Sequence, residues 1–293
     1  DMLARIMILA IAAVSLDFIL GYGGMISFGH AAYMGIGAYS VGILSYYGID
    51  NGFIQFPLAM AAAALAGVIF GAMSLRTSGV YFIMITLAFA QMLYFLGISL
   101  EEFGGDDGMV SARSEFAGLI DLYDANQFYY LTLACLSGTL FILHRLVQSR
   151  FGVVIRASRT NEARTQAIGF PTYRYKLAGF TIAGSLCGLS GALFANLNEF
   201  VSPDVMHWTH SGEIMIMVIM GGMGTLIGPV LGATGFLLLQ EYLPEWMEMF
   251  MTNAGEHWAI IMGPVLIAIV LFGRGGLHAL FARKWFAGGG GHG

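Results

Sequence analysis

The sequence predicts an all-α protein: a polytopic transmembrane helical bundle with about nine spans and one or more broken helices. Of its 293 residues, 57% are apolar and only 11% are charged, which is far from the usual balance of a soluble domain. Apolar stretches of about 20 residues, the length that crosses a bilayer as a helix, recur along the chain. The charged residues concentrate between these stretches, as they do in the loops of membrane proteins.

We predict nine spans, although a glycine-rich turn alone separates the seventh from the eighth. They lie near residues 2–20, 28–47, 56–75, 79–100, 127–147, 177–197, 205–221, 226–243 and 257–273. We expect one transmembrane domain over residues 1–287 and a flexible glycine-rich tail at 288–293. Because the chain begins with Asp1 and no signal-peptide cleavage pattern follows, we expect its natural N-terminus to be missing.

Charge placement predicts the orientation of the spans. The segment 149–176 holds six basic residues and one acid, Glu162, so the positive-inside rule places it in the cytoplasm. Because successive spans cross the membrane in opposite directions, this assignment places the acidic stretch 101–124 outside and the C-terminus in the cytoplasm. Arg5 and Arg113 are the two exceptions to this pattern.

A glycine-rich stretch, residues 21–39, interrupts what would otherwise be one very long apolar helix. A broken helix fits this pattern, and such breaks occur at membrane depth where the freed backbone lines a cavity or is buried in protein. A plain cytoplasmic turn between two helices is the alternative. A second cluster, Gly221–Gly232, repeats the Gly-Gly-Met start and hints at an internal repeat. Small residues four positions apart, such as Gly184 and Gly188, predict close helix packing.

The basic segment mixes apolar and cationic residues in a pattern typical of a short amphipathic helix. Ala163, Ala167 and Ile168 fall at helical neighbour spacing, while Gly169 and Pro171 supply a stop. Such a helix fits two roles that the residues alone do not separate. It can anchor to anionic lipid, or it can dock into a groove on a cytoplasmic partner.

Few polar residues point to chemistry. Asp17 is the one acid that falls deep in a span, and we expect it to make a structural polar contact or to be protonated there. His207 and His210 lack the further ligands of a metal site, and Cys135 and Cys187 lack the spacing of a disulfide framework. The sequence has no Gly-x-x-x-x-Gly-Lys-Ser/Thr loop. We therefore expect no metal, no cofactor, no ATP site and no nucleic-acid partner.

Several motifs, in this order and spacing, resemble the LivM-type permeases of branched-chain amino acid ABC importers. They are Leu16-Asp-Phe-Ile-Leu-Gly-Tyr-Gly-Gly, Ser27-Phe-Gly-His-Ala-Ala-Tyr, Arg156-Ala with Glu162-Ala and Gly169, and Gly221-Gly-Met-Gly-Thr with Gly228-Pro229. The resemblance covers almost the whole chain. It implies a non-catalytic multi-pass subunit of the bacterial inner membrane. Its implied partners are a second permease of LivH type, two cytoplasmic ATP-binding subunits and a periplasmic amino-acid-binding protein.

The resemblance also assigns residues to two roles. The segment that contacts the ATPase would contain Arg156, Arg159, Glu162, Ala163, Ile168 and Gly169. The residues that line or shape the translocation path would be Asp17, Gly24, Ser27 and His30. Asp17 departs from the family pattern, since related permeases often carry a neutral amide there and a urea importer permease can carry an acid.

Three other functions stay open at this stage. A related ABC importer for urea or short amides is the first, on account of Asp17. An ion-coupled secondary transporter would need ionisable residues along its pathway, and the chain offers only Asp17. An intramembrane enzyme would need a set of catalytic residues at one depth, which the sequence does not contain.

Overall fold

The structure, a computed structural model, describes residues 2–116, 118, 120–250, 263–264 and 276. These residues form ten numbered α-helices, short π and 3-10 turns and one pair of very short strands. The helices are α1 Met2–Asp17, α2 His30–Tyr46, α3 Gly52–Ser74, α4 Val80–Ser99, α5 Ala125–Gln148, α6 Arg150–Thr160, α7 Glu162–Ala167, α8 Thr172–Asn198, α9 Trp208–Gly221 and α10 Gly228–Phe250. The strands, β1 Met109–Val110 and β2 Phe200–Val201, pair antiparallel.

Within the described residues, five helical stretches are long and apolar enough to cross a bilayer. They are Met2–Tyr22, which is α1 with the π-helical turn that continues it, and helices α3, α4, α5 and α8. The predicted polytopic helical architecture is therefore confirmed, while the number of nine spans stays a prediction. The ninth predicted span, 257–273, lies outside the described residues apart from 263 and 264, as do the tail and the C-terminus.

Helices α2 and α9 are shorter than a full bilayer span because glycine-rich segments interrupt the chain beside them. Helix α2 has 17 residues and α9 has 14, which correspond to about 25 and 21 Å of helix. Before α2 lie residues 18–29, the π-helical turn with the irregular segment that follows it, which we call the first break. Between α9 and α10 lie residues 222–227, which we call the second break.

The predicted interruption at the first glycine motif is thus present, but it is not a break within one helix. Helix α1 runs antiparallel to α8, since Ser190 bonds Ile8 and Gly179 lies near Phe18, whereas α2 runs parallel to α8. The interruption is therefore a connection between two antiparallel helices, the alternative that the sequence left open.

Helices α1, α2 and α8 form the centre of the bundle. The most apolar stretch of α1 is 83% buried and that of α4 only 22%, so α4 lies at the periphery. Glycines let α2 and α8 approach backbone to backbone: a Cβ added at Gly37 would overlap the Gly188 carbonyl, and one at Gly191 would overlap the Met34 carbonyl. The predicted close packing around Gly188 is therefore confirmed.

The outer helices present large apolar side chains at the surface of the bundle. Leu65 on α3, Phe95 on α4 and Phe141 on α5 are each 60% exposed or more. A soluble monomer rarely carries so large an apolar surface, whereas the hydrocarbon of a bilayer solvates it. These faces fit contact with lipid.

The bundle has two chemically different ends. At one end α1 finishes, α8 begins and α6 and α7 lie between α5 and α8; we call it the basic end, because it carries the basic segment. At the other, α1 begins, α8 finishes and the acidic residues of 101–124 lie; we call it the acidic end. Asn51 and Asp124 start α3 and α5 there by accepting a hydrogen bond from a backbone N–H two residues on, at 2.9 and 3.0 Å, as helix caps do.

Candidate coupling and translocation site

The first break begins with a change of helix type. After Asp17 the chain widens into a π-helical turn, Phe18–Tyr22, a form that often marks functional positions in helices. The N–H groups of Gly24 and Met25 close this turn on the carbonyls of Leu20 and Ile19, at 3.0 and 2.9 Å. Gly24 has φ +68°, a left-handed conformation that glycine adopts without a steric cost. The chain can therefore leave α1 and re-enter the bundle as α2.

A side chain from the basic segment holds this break. Arg159, near the end of α6, donates a hydrogen bond from Nη1 to the carbonyl of Gly21. Its aliphatic stem also covers the break, since a Cβ added at Gly24 would lie 2.8 Å from Arg159 Cγ. The guanidinium supplies a strong charge-assisted donor to a carbonyl that the irregular backbone leaves without a helical partner. Arg159, which the resemblance assigns to the ATPase contact, thus touches Gly24, which the resemblance assigns to the translocation path.

Asp17 joins the first break to the second. Its side chain is 1% exposed, and its Oδ1 accepts a hydrogen bond of 2.8 Å from the N–H of Gly224. The fit is close, because a Cβ at Gly21 would overlap both Asp17 Oδ1 and the backbone of Gly224. The structural polar contact expected for Asp17 is therefore present, and the two glycine clusters that resemble each other in sequence touch in space.

Ser27 and His30 are buried inside the protein, at 0% exposure. Ser27 Oγ accepts from the N–H of Gly29 at 3.2 Å, and His30 Nε2 lies 2.8 Å from Ser15 Oγ on α1. The His30 carbonyl accepts from Cys187 Sγ on α8, at 3.3 Å. These contacts hold the start of α2 against α1 and α8. Neither Ser27 nor His30 lines the cavities of about 230, 450 and 400 Å³ in the described part of the chain, and their assignment to the translocation path stays a prediction.

The basic segment is two helices where one was predicted. Helix α6 ends at Thr160, Asn161 takes an extended conformation, and α7 follows. Asn161 Oδ1 accepts from the N–H of Arg164 at 2.9 Å, so the asparagine starts a new helix, which is its strongest helical preference. Gly169 ends the pair with φ +96°, at the place where the sequence predicts a stop.

Three of the predicted coupling residues bond to the rest of the bundle, although Arg156 and Arg159 are themselves exposed. Arg159 reaches the first break, and Arg156 donates to the Val147 carbonyl at the end of α5, at 3.2 Å. Glu162 accepts from Lys176 Nζ at 2.7 Å and from Thr172 Oγ1 at 2.9 Å, both on α8. Partial burial raises the pKa of Glu162. The two hydrogen bonds and the charge of Lys176 lower it by more, so the pKa lies below its ordinary value. Charged groups therefore fasten the segment to α5, α8 and the first break.

The other three predicted coupling residues face outward. Ala163, Ile168 and Gly169 are exposed, together with Ala167 and Phe170, and Ile168 is 68% exposed. We call these five residues the α7 face. It is a small apolar surface beside the exposed cation Arg164. An apolar surface of this kind suits a partner groove, the mode in which short helices dock.

A cavity of about 400 Å³ lies between the α7 side of the segment and the first break. Gly24 and Ile26 line it from the break, Arg76 from the α3–α4 connection, and Glu162 and Lys176 from the basic segment. Movement of the segment would change the shape of this cavity together with that of the break.

Three contacts in this site were missed by sequence reasoning: Arg159 with Gly21, Asp17 with Gly224, and Glu162 with Lys176. The similar sequences of the two glycine clusters were a signal for the contact of Asp17 with Gly224, because repeated segments often pack on each other. The i to i+14 separation of Glu162 and Lys176 gave no signal for the third.

The described residues therefore define a class: a helical membrane protein in which a basic segment contacts the connection between two central helices. A family model described as "Branched-chain amino acid transport system / permease component" matches residues 1–270, and the chain belongs to that family. It is 30% identical over 287 residues to the high-affinity branched-chain amino acid transport system permease protein LivM of Escherichia coli, covering 89% of this chain and 67% of that protein.

Two further relatives, both from Methanocaldococcus jannaschii, extend the comparison. The protein named "Probable branched-chain amino acid transport permease protein LivM" is 25% identical over 303 residues, covering 90% of this chain and 85% of its own. The one named "Probable branched-chain amino acid transport permease protein LivH" is 23% identical over 260 residues, covering 84% and 78%. No solved structure gives a significant match. The resemblance to LivM-type permeases is confirmed.

Proposed function

We propose that this chain is the membrane-spanning permease subunit of an ATP-driven importer that moves branched-chain amino acids across the bacterial inner membrane. Family membership over residues 1–270 supports this function. The observation that carries it is the Arg159 contact, because it connects an exposed surface to the first break, between the central helices α1 and α2. A permease driven from outside the membrane needs such a connection.

In this proposal the chain is not an enzyme, and separate subunits hydrolyse ATP. The absence of a Walker-type loop from the sequence supports this division. Its partners would be a second permease of LivH type, two cytoplasmic ATP-binding subunits and a periplasmic binding protein that supplies affinity for the amino acid. The similarity to both LivM and LivH proteins fits a pair of related permeases in one complex.

The basic end would face the cytoplasm and the acidic end the periplasm. The positive-inside rule supports this orientation, since segment 149–176 carries six of the chain's basic residues. The exposed α7 face would then lie where cytoplasmic ATP-binding subunits can reach it. The acidic end would meet the substrate-loaded binding protein.

Transport would follow from a rigid movement of α6 and α7. Closure of the ATP-binding subunits would displace the α7 face, and the inward ties of Arg156 and Glu162 would carry α5 and α8 with it. Arg159 would pull on Gly21 and so reshape the first break. In this role Gly24 gives the break its turn, whereas buried Asp17, Ser27 and His30 shape the translocation path by fixing the break against its neighbours. Such switching between discrete packings is a common route of transmission.

Reconstitution tests the transport function. The chain, its second permease and the ATP-binding subunits are placed in proteoliposomes, with the binding protein supplied on the side of the acidic end. We expect leucine uptake that needs both ATP and the binding protein. Preferential uptake of urea would favour the related amide importer. Leucine uptake that continues without ATP and stops when the proton gradient collapses would favour a secondary transporter.

A single charge on the α7 face tests the docking role. Ile168→Glu buries a carboxylate in the proposed interface, which costs several kcal/mol when unpaired, so we expect the ATP-binding subunits to be lost during co-purification. Val110→Glu is the matched control, because Val110 is 80% exposed at the acidic end. Retention of the ATP-binding subunits by Ile168→Glu would contradict the assignment.

A further inference from the structure

A second candidate site lies at the acidic end, away from the breaks. A cavity of about 230 Å³ opens there between the start of α1, the end of α8 and the first turns of α9. It is smaller than the roughly 300–1,000 Å³ of sites for drug-sized ligands, which suits a ligand of amino-acid size. Its walls combine both signs of charge with apolar side chains.

The positive charge comes from one of the two residues that depart from the charge pattern. The charge of Arg113 already has partners within the fold. Its Nε lies 2.8 Å from Glu199 Oε1, and its guanidinium lies over the rings of Tyr123 and Phe128. Arg5 is exposed and lines this cavity and a neighbouring one of about 450 Å³. Among the described residues it forms no ion pair, so its donors are available to a carboxylate.

The negative charge comes from two carboxylates that a histidine holds in place. His210 Nδ1 lies 3.0 Å from Glu213 Oε2, and its Nε2 lies 3.4 Å from Asp204 Oδ2. All three residues line the cavity. Even with His210 protonated, two carboxylates and one imidazolium leave a net charge of about −1. That excess negative charge suits an ammonium group.

The floor of the cavity is apolar. Met34 on α2 and Ile214 and Met217 on α9 are 3% exposed or less, and Leu9 on α1 completes the wall. Methionine side chains adapt to branched aliphatic shapes. A cation, an anion and an apolar floor together match the carboxylate, the ammonium and the aliphatic side chain of one zwitterion.

We propose that this cavity is the first binding site on the permease for a zwitterionic amino acid with an aliphatic side chain. Arg5 receives the carboxylate, Glu213 and Asp204 receive the ammonium, and Met34, Ile214 and Met217 contact the side chain. His210 is a positioning residue that holds both carboxylates at the wall. The proposal rests on the function proposed above, and it adds a place and a chemical basis for recognition by this subunit itself.

Ligand protection tests the site without requiring transport. Ser202 lines the cavity, so a Ser202→Cys variant is made with Cys135→Ser, and maleimide labelling is followed on the assembled importer in nanodiscs without ATP or binding protein. We expect leucine to slow labelling. 4-Methylpentanoic acid is leucine without the ammonium and isopentylamine is leucine without the carboxylate, so each should need at least about tenfold higher concentration for the same protection.

Variants then test which residues bind the carboxylate and the ammonium of leucine. Arg5→Gln and Glu213→Gln should each abolish protection by leucine, whereas Arg5→Lys should retain part of it. Glu102→Gln is the matched control, because Glu102 is exposed at the same end and does not line the cavity. Equal protection by all three compounds, no protection by leucine, or protection that survives both neutral variants would overturn the site. Leucine uptake by the reconstituted importer in any of these cases would leave the transport function standing.

Discussion

The two glycine-rich breaks contact each other but are held in different ways. The second break is closed by its own residue, Thr225, which donates to the Gly222 carbonyl at 2.8 Å and accepts from the N–H of Gly228 at 3.1 Å. The first break has an internal contact of its own, between Ser27 and Gly29. It is also held from outside, by Arg159 of the basic segment and by Thr86 of α4, which accepts from the N–H of Phe28 at 3.2 Å. Asp17 then ties one to the other. Among the described contacts, the basic segment therefore touches the first break directly, through Arg159, and is linked to the second through Asp17.

The largest expected effect comes from forcing the two breaks apart. In Gly21→Ala the new methyl group would overlap Asp17 Oδ1 and the Gly224 backbone. Overpacking of this kind costs about 1–3 kcal/mol or more, so we expect a lower melting temperature and at least about a tenfold loss of leucine uptake. Gly138→Ala is the control, because a Cβ there meets nothing within 4 Å and alanine favours the helix. A Gly21→Ala protein as stable and active as that control would show that the contact is loose.

A smaller effect is expected from removing the tie between the breaks. Asp17→Ala leaves the Gly224 N–H without its acceptor, which costs about 1–3 kcal/mol for a buried group. Asp17→Asn keeps a carbonyl oxygen at the same place and should stay close to wild type. Thermal unfolding of the detergent-purified complex measures both. If Asp17→Asn lowered the melting temperature as much as Asp17→Ala, the negative charge of Asp17 rather than its acceptor oxygen would stabilise the contact between the breaks.

The smallest effect concerns the tie between α7 and α8. Glu162 is partly exposed and pairs with Lys176, so Glu162→Gln should cost no more than about 1 kcal/mol. Since the pKa of Glu162 is lowered in the folded protein, the stability that it contributes is present above its unfolded pKa and is lost as the pH falls through its folded pKa. Wild type and Glu162→Gln should therefore differ in melting temperature near neutral pH and converge in acid. A constant difference across that range would contradict the ion-pair account.

The sequence predicted the elements of this site better than the contacts between them. Gly169 and the first glycine stretch were correctly predicted as interruptions, because glycine and proline act on the local backbone. The single amphipathic helix was wrong, since the capping strength of Asn161 outweighed the apolar periodicity. The contacts of Arg159 with Gly21 and of Asp17 with Gly224 depend on tertiary packing across 138 and 207 residues, which no local pattern encodes.

The charges along the sequence predicted part of the arrangement at the two ends of the bundle. They separated the two ends of the bundle and identified Arg5 and Arg113 as exceptions. They could not distinguish Arg113, which pairs with Glu199, from Arg5 on α1, which forms no ion pair among the described residues. The placement of charges along the sequence does not reveal the partner of a side chain. Side-chain geometry alone makes that distinction.

The central claim is that Arg159 transmits movement of the basic segment to the first break. The most direct test is the number of ATP molecules hydrolysed per leucine transported by the reconstituted importer, compared between Arg159→Ala and Arg145→Ala. Arg145 is an exposed cation in the last turn of α5, so it controls for the loss of one positive charge at the same end. We predict that Arg159→Ala retains the ATP-binding subunits but raises the ratio at least about threefold, while Arg145→Ala leaves it unchanged. An unchanged ratio in Arg159→Ala would contradict the account.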